Sequence, residues 1–158
     1  MIKNALKEEG KIFTPLNIVN VLLDVATYVG AERILEHHFM DNSAGDGNIV
    51  VAAISRYCVE YIRVKKGKKG LKEALETYIH AIELNKSNFR QLKKRLDDTA
   101  AMYGVNDVKW DIRLGNALSI KDYDGKMDYV VGNPPYVRVH NLGKLYDVVK
   151  NYKFADQG

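Results

Sequence analysis

The chain has 158 residues, 24 Lys and Arg against 20 Asp and Glu, and a net charge of +4. That length suits one domain, and 46% hydrophobic with 28% charged residues excludes an intrinsically disordered chain. The small positive excess permits a polyanionic partner without requiring one. The single cysteine, Cys58, excludes an internal disulfide and fits a reducing compartment. Its neighbours Ile54, Tyr57, Tyr61 and Ile62 make it a small core residue. Neither a signal-peptide pattern nor an apolar run of bilayer-spanning length is present, so the expected setting is the cytoplasm, away from membrane.

Residues 1–12 are polar and read as irregular. Thr14-Pro15 reads as an N-cap followed by proline at the first helical position. Ile18, Val19, Leu22, Val25, Ala26 and Val29 then follow at helical spacing, and Gly30 is expected to end the run. His38 to Asp41 reads as a first strand, followed by a glycine-rich turn, Asn42 to Gly47. A helix begins near Asn48 and carries Ile49, Val50, Ala53, Ile54, Tyr57 and Ile62. A basic loop, Lys65 to Gly70, leads to a short helical piece ending near Glu76. Tyr78 to Glu83 is the second strand. Phe89, Leu92, Leu96, Ala100 and Tyr103 mark a third helix closed by Gly104. Val108 to Leu114 and Met127 to Val131 are the third and fourth strands, and Leu142 to Phe154 has a helical pattern. Strands alternating with helices imply right-handed crossovers and a parallel sheet, hence an α/β fold.

In such a sheet ligands bind outside the carboxyl ends of the strands, and the informative residues fall there. Gly45 and Gly47 after the first strand let the backbone turn sharply and approach a ligand, and the helix after them aims unpaired N–H groups at the pocket. Glycines also make plain turns, but this pair lies between a strand and a helix. Glu83 ends the second strand, where a carboxylate can accept both hydroxyl hydrogens of a ribose; a solvated strand-end acid is the alternative. It lies further from the glycine loop than the roughly 20 residues of a usual nucleotide-binding unit, and the basic loop with its helical piece accounts for the excess. Asn116, after the third strand, is either an adenine-edge partner or a turn residue.

The fourth strand ends in Asn133-Pro134-Pro135-Tyr136, the most specific feature of the chain. An exocyclic amine on an aromatic ring is a poor nucleophile because its lone pair is delocalised. Acceptors that draw its hydrogens out of plane free the pair, and the Asn133 side-chain oxygen and Pro134 carbonyl can do so. Proline brings no competing N–H and stiffens the turn, and Tyr136 offers a face on which a flipped base can stack. A rigid turn with a buried tyrosine is the alternative.

Thr14-Pro15, Asp41 through Gly47, Glu83, Asn116 and Asn133 through Tyr136, in that order, resemble the amino-methyltransferases that modify N6 of adenine in DNA. The order is similar to the subgroup whose Thr-Pro helix precedes the glycine loop and whose target-recognition region follows the catalytic motif, which includes fused restriction-and-modification enzymes. The resemblance covers roughly residues 11–140. It implies a Rossmann-like fold with a parallel sheet flanked by helices, one S-adenosyl-L-methionine-binding domain over 1–158, and no metal. It implies that Thr14 and Pro15 line the methionine end of the cofactor and that Asp41, Ala44 and Gly45 contact the same end. Gly47 completes that loop, Glu83 meets the ribose, and Asn116 with Ala117 meets the adenine. Asn133, Pro134, Pro135 and Tyr136 would be catalytic, and double-stranded DNA with a flipped base the partner.

Two positions depart from the family pattern. The glycine motif usually reads Asp-Pro and here is Asp41-Asn42, and Asn116 stands where Asp is frequent. The family continues with further strands and a DNA-recognition domain, whereas this chain stops some twenty residues past Tyr136. It therefore reads as a piece of a longer protein, inactive alone, needing a missing region or partner subunit, with its fourth strand an edge prone to self-association. The basic loop lies at the amino ends of the strands, away from the cofactor, and reads as a solvated insertion. His37 and His38 lack a metal-binding pattern and read as a pair leading into the first strand. An Asn-Pro-Pro-Tyr turn also serves methyltransferases acting on protein glutamine or on guanine N2 in RNA, and a non-catalytic cofactor-binding scaffold is a further alternative.

Overall fold

Four parallel strands form one sheet in the order β3-β2-β1-β4, and their parallel pairing is what the strand–helix alternation predicts. The computed structural model describes residues 14–30 and 32–134. In chain order these form α1 (Leu16–Val25), a 3₁₀ turn (Glu32–Ile34), β1 (Phe39–Asp41), α2 (Asn48–Lys65), α3 (Leu71–Tyr78), β2 (Ile79–Glu83), α4 (Lys86–Met102), β3 (Asp111–Leu114) and β4 (Tyr129–Val130). The segment 1–12, the helical pattern 142–154, Pro135 and Tyr136 lie outside the described residues.

The apolar stripe of α2 is the one that packs. Val50, Ala53, Ile54 and Tyr57 meet Phe39, Ile79 and Ala81 of the sheet, with Leu92, Leu96 and Ala100 of α4 alongside. Full burial of each large side chain contributes roughly 1.5–3 kcal/mol. The Tyr57 hydroxyl donates to the Leu35 carbonyl at 2.8 Å, so burying its phenol leaves no unpaired donor. Cys58 is fully buried in this core and burial pushes its thiol up to about 12, which makes it inert.

Several elements differ from the sequence expectation for tertiary reasons. Helix α1 stops at Val25 rather than at Gly30. Thr27 takes the left-handed conformation at φ 59°, and Tyr28 N–H bonds the Leu23 carbonyl at 2.9 Å. This is the same closure that Gly104, at φ 74°, makes for α4 as predicted. Arg56 of α2 explains why a threonine is tolerated there. Its guanidinium donates to Asp24 Oδ1 at 2.6 Å and to the Tyr28 carbonyl at 3.1 Å, clamping the end of α1 onto α2. Thr14 is not the N-cap. Pro15 holds that position, and no side chain caps the helix. The strands are shorter than predicted because each needs a partner. Helix α3 runs to Tyr78, so β2 starts at Ile79, and β3 pairs only from Asp111 opposite His80. Strand β4 pairs with β1 through two residues and ends the described sheet, with Val130 58% exposed.

His38 leads into β1, as expected, and joins a polar network across the amino ends of β1, β2 and β3. Burial holds His80 below the usual histidine range, so it is neutral near pH 7. Its Nδ1 lies 2.8 Å from Asp111 Oδ2 and therefore donates; its Nε2 accepts from His38 Nδ1 at 2.8 Å. The 18 residues of α2 carry the chain from the glycine loop to this end, leaving the basic loop remote from the loop's ligand side. Among the described residues, no group of His, Cys, Asp or Glu is arranged to hold a metal ion, and no helix is long and apolar enough to cross a membrane.

Candidate active site

The crossover from β3 to β4 passes two strands, so the topological switch point lies between β1 and β4. At the carboxyl ends of that pair sits a cleft lined by Thr14, Asp41, Ser43, Ala44, Gly45, Asp46, Asn48, Ile49 and Asn133. Residues from three distant parts of the chain thus meet at the place the topology predicts.

The glycine loop is held from behind. Arg95 of α4 donates to the Asp46 carbonyl at 2.8 Å and pairs with its carboxylate at 2.9 Å. Gly47 has φ 94°, so its backbone angle demands glycine, and a Cβ there would also come within 2.6 Å of the end of the Leu92 side chain. Gly45 also has a left-handed φ of 58°, but a Cβ built on it meets nothing within 4 Å. Of the two, Gly45 is the one whose bare face is open to a ligand.

The loop's own N–H groups are used internally. Ser43 N–H donates to Asp41 Oδ1 at 3.0 Å, Ala44 N–H to the Ile82 carbonyl at 3.0 Å, and Gly45 N–H to Glu83 Oε2 at 2.7 Å. Two carboxylates thus occupy two of the loop's donors.

Asp41 is 1% exposed, and its Oδ2 has no hydrogen-bond partner among the described residues; nor does the buried Ser43 Oγ beside it. Burial raises the Asp41 carboxyl to about 7, against the Ser43 N–H bond that lowers it, and the nearby Glu83 carboxylate adds to the rise. An unpaired buried acid costs free energy, and a cationic or donor-bearing ligand at Oδ2 would offset it. The linkage has a definite sign. A folded-state value above the unfolded 3.8 gives stability that is full below about pH 4 and lost as pH rises through about 7. Asp41→Asn is therefore expected to overtake the native protein in stability between pH 4 and 8, by on the order of 2–4 kcal/mol in denaturant titrations. A pH-independent difference between the two would show that Asp41 ionises freely in the empty cleft.

Glu83 is 7% exposed and does more than end a strand. Its Oε2 takes Gly45 N–H, while Oε1 accepts from Asn85 N–H at 2.7 Å and from Asn88 Nδ2 at 3.4 Å. Asn85 in turn caps α4. Glu83 therefore joins the glycine loop to the β2–α4 junction, a role its sequence position did not reveal. Asn116 and Ala117 follow β3 on the same rim but do not line the cleft. The Asn116 Oδ1 closes its own turn by accepting from Leu118 N–H at 3.0 Å.

Asn133 stands beside Asp41 across the switch point, with its Nδ2 donating to Thr14 Oγ1 at 3.1 Å. Pro134 follows it, exposed at the rim. Ser43 and Asn48 line this cleft and Gly132 packs against its loop, three positions to which the sequence reading gave no role of their own. A Cβ on Gly132 would fall 2.8 Å from Asn42 Oδ1, 2.9 Å from Ser43 Oγ and 3.1 Å from Asp41 Oδ1, so the Asn-Pro turn presses directly on the glycine loop. A glycine immediately before Asn133 was the available signal.

A parallel sheet with an acid-lined cleft at its switch point and an Asn-Pro turn on the adjoining strand fits an α/β methyltransferase fold. The chain belongs to the N-6 DNA Methylase family, which it matches over residues 1–157. It is 28% identical over 160 residues to the type II methyltransferase M.BstVI of Geobacillus stearothermophilus, covering 96% of this chain and 28% of that protein. Type II methyltransferase M.PaeR7I of Pseudomonas aeruginosa is 29% identical over 143 residues, 86% of this chain and 24% of its own length. Type II methyltransferase M.XhoI of Xanthomonas vasicola is 26% identical over 141 residues, 83% of this chain and 25% of its own length. The chain thus spans about a quarter of the length of these relatives. Use of S-adenosylmethionine is general to the family.

Proposed function

We propose that this chain supplies the S-adenosylmethionine cleft and the catalytic turn of a protein that methylates N6 of adenine in DNA, as part of a restriction-modification system. The observation that carries the reading is the convergence of Asn133 with the orphaned Asp41 Oδ2, Ser43 Oγ and the open side of Gly45 in one cleft. When bound, S-adenosylmethionine supplies an electrophilic methyl group on a sulfonium. Its amino-acid end carries an ammonium that suits the Asp41 carboxylate, and Thr14, Pro15, Ala44 and Gly45 would flank that end. Glu83 retains acceptor capacity for ribose hydroxyls beyond its internal bonds, and Asn116 with Ala117 would meet the adenine. Asn133 Oδ1 and the Pro134 carbonyl would accept the two hydrogens of the target amine. The nitrogen would then give its lone pair to the methyl carbon as the sulfonium S–C bond breaks and leaves its electron pair on sulfur, and would release one proton to water. Pro135 and Tyr136 complete the turn in this reading, Tyr136 as a stacking face for a flipped base.

The test is transfer of a labelled methyl group, in the full-length protein that carries this chain, to mixed-sequence double-stranded DNA, RNA and glutamine-containing peptide in parallel. Label recovered as N6-methyladenine in DNA is the expected result. Label in RNA or peptide alone, or calorimetry showing no S-adenosylmethionine binding, would overturn the proposal.

A further inference from the structure

We infer that Asn48, the first residue of α2, is a positioning residue that acts through Thr14 to hold the Asn133 amide with its oxygen left for the target amine. The inference rests on the catalytic reading of Asn133 proposed above.

The argument starts from the ambiguity of an amide. Its two ends are nearly equal in size, and its terminal torsion is broad and roughly two-fold, so the backbone does not choose between them. Only the oxygen end can draw hydrogens from an amine; the flipped amide would set donor against donor. Thr14 Oγ1, 3.1 Å from Asn133 Nδ2, accepts from the nitrogen end and holds the amide in that place.

That hydroxyl is only as well placed as the backbone bearing it. Thr14 lies outside α1, whose first turn closes on the Pro15 carbonyl through Val19 N–H at 2.9 Å. Pro15 has no N–H with which to tie this segment down. The Thr14 carbonyl accepts instead from Asn48 Nδ2 at 3.0 Å. Asn48 is a rigid anchor because it follows Gly47, whose left-handed backbone packs against Leu92. Its side chain is not used as a helix cap: Gly47 holds that position with no side-chain bond. Glycine loop, Asn48, Thr14 and Asn133 thus form one chain of contacts spanning 34 and then 119 residues of sequence. The cofactor loop and the amine acceptor are built as a unit.

The test compares single-turnover methyl transfer at saturating cofactor, cofactor Kd by calorimetry, and thermal stability, all in the full-length protein. Asn48→Ala removes the donor. Asn48→Asp removes it while keeping shape and placing an acid at a helix N-terminus, where acids are favourable, so it guards against loss of fold. Both variants are expected to slow transfer by about 10–100-fold with cofactor Kd within about threefold, as for a misplaced reacting group. Thr14→Val should fall as far as Asn48→Ala, and the two losses should not multiply when combined. A native rate in Asn48→Asp, a parallel fall of rate and cofactor affinity, or multiplying losses would each overturn the inference. If Asn133→Ala is itself fully active, the catalytic reading fails instead. If Asn133→Ala is inactive while Asn48→Asp is native, only the positioning role is lost.

Discussion

Asn133→Ala is expected to lower the methyl-transfer rate by about 100–1000-fold, the range found when one preorganised partner of a developing charge is removed. Cofactor affinity should change less than the rate, because Asn133 lines the cleft on the side of Thr14, whereas the groups proposed to hold the cofactor are on the loop of Asp41 and Gly45 and at Glu83. The amine's hydrogens become more acidic as the new bond forms, so the Asn133 oxygen binds them more tightly in the transition state than in the ground state. Removing it should therefore act on turnover. Asn133→Asp keeps an acceptor but cannot donate to Thr14 Oγ1, so its rate should lie between alanine and native. Rapid-quench transfer assays with calorimetry on the same preparations decide the matter. Equal losses in cofactor affinity and rate would make Asn133 a structural turn residue instead.

Glu83→Ala is expected to weaken S-adenosylmethionine binding by about 1.5–3 kcal/mol, roughly 10–150-fold, and also to destabilise the fold. Both effects follow from one side chain with two duties. Its oxygens take the N–H groups of Gly45 and Asn85 at 2.7 Å each, and truncation strands two nearly buried donors. Each unpaired donor costs about 1–3 kcal/mol. Glu83→Gln separates the duties. It keeps size and one acceptor oxygen but turns an NH₂ toward one of the two backbone donors. A loop-holding role predicts a stability loss for glutamine nearly as large as for alanine, whereas a ribose acceptor alone predicts little. Native cofactor affinity in Glu83→Ala would remove Glu83 from the cofactor site altogether.

Much of the architecture was legible in the sequence because it is locally encoded. The α2 stripe from Ile49 to Ile62, the glycine closure of α4 at Gly104 and the strand–helix alternation each depend on residues close together in the chain. Their periodicities survive any tertiary context. The parallel sheet followed from the same alternation, since crossover handedness leaves few topologies. The placement of Asp41, Gly45 and Asn133 at strand ends was readable for that reason.

What only the tertiary structure decided is non-local. Thr14 has the composition of an N-cap, yet its hydroxyl is taken by Asn133, 119 residues away, and the helix starts without a side-chain cap. A capping bond and a cross-site bond compete for one oxygen, and no local pattern tells which wins. Helix α1 stops early because Arg56, more than two dozen residues further on, accommodates a left-handed Thr27. Glu83 reads as a strand-end acid, but folding brings the Gly45 N–H to it and turns the loop's donors inward. Gly132 is an unremarked residue in the sequence and a steric necessity in the fold, because the glycine loop's polar atoms lie within 3.1 Å of where a Cβ would stand. Periodicity reports which face of an element is buried; which atoms meet across the switch point is set by packing between segments that the chain order keeps apart.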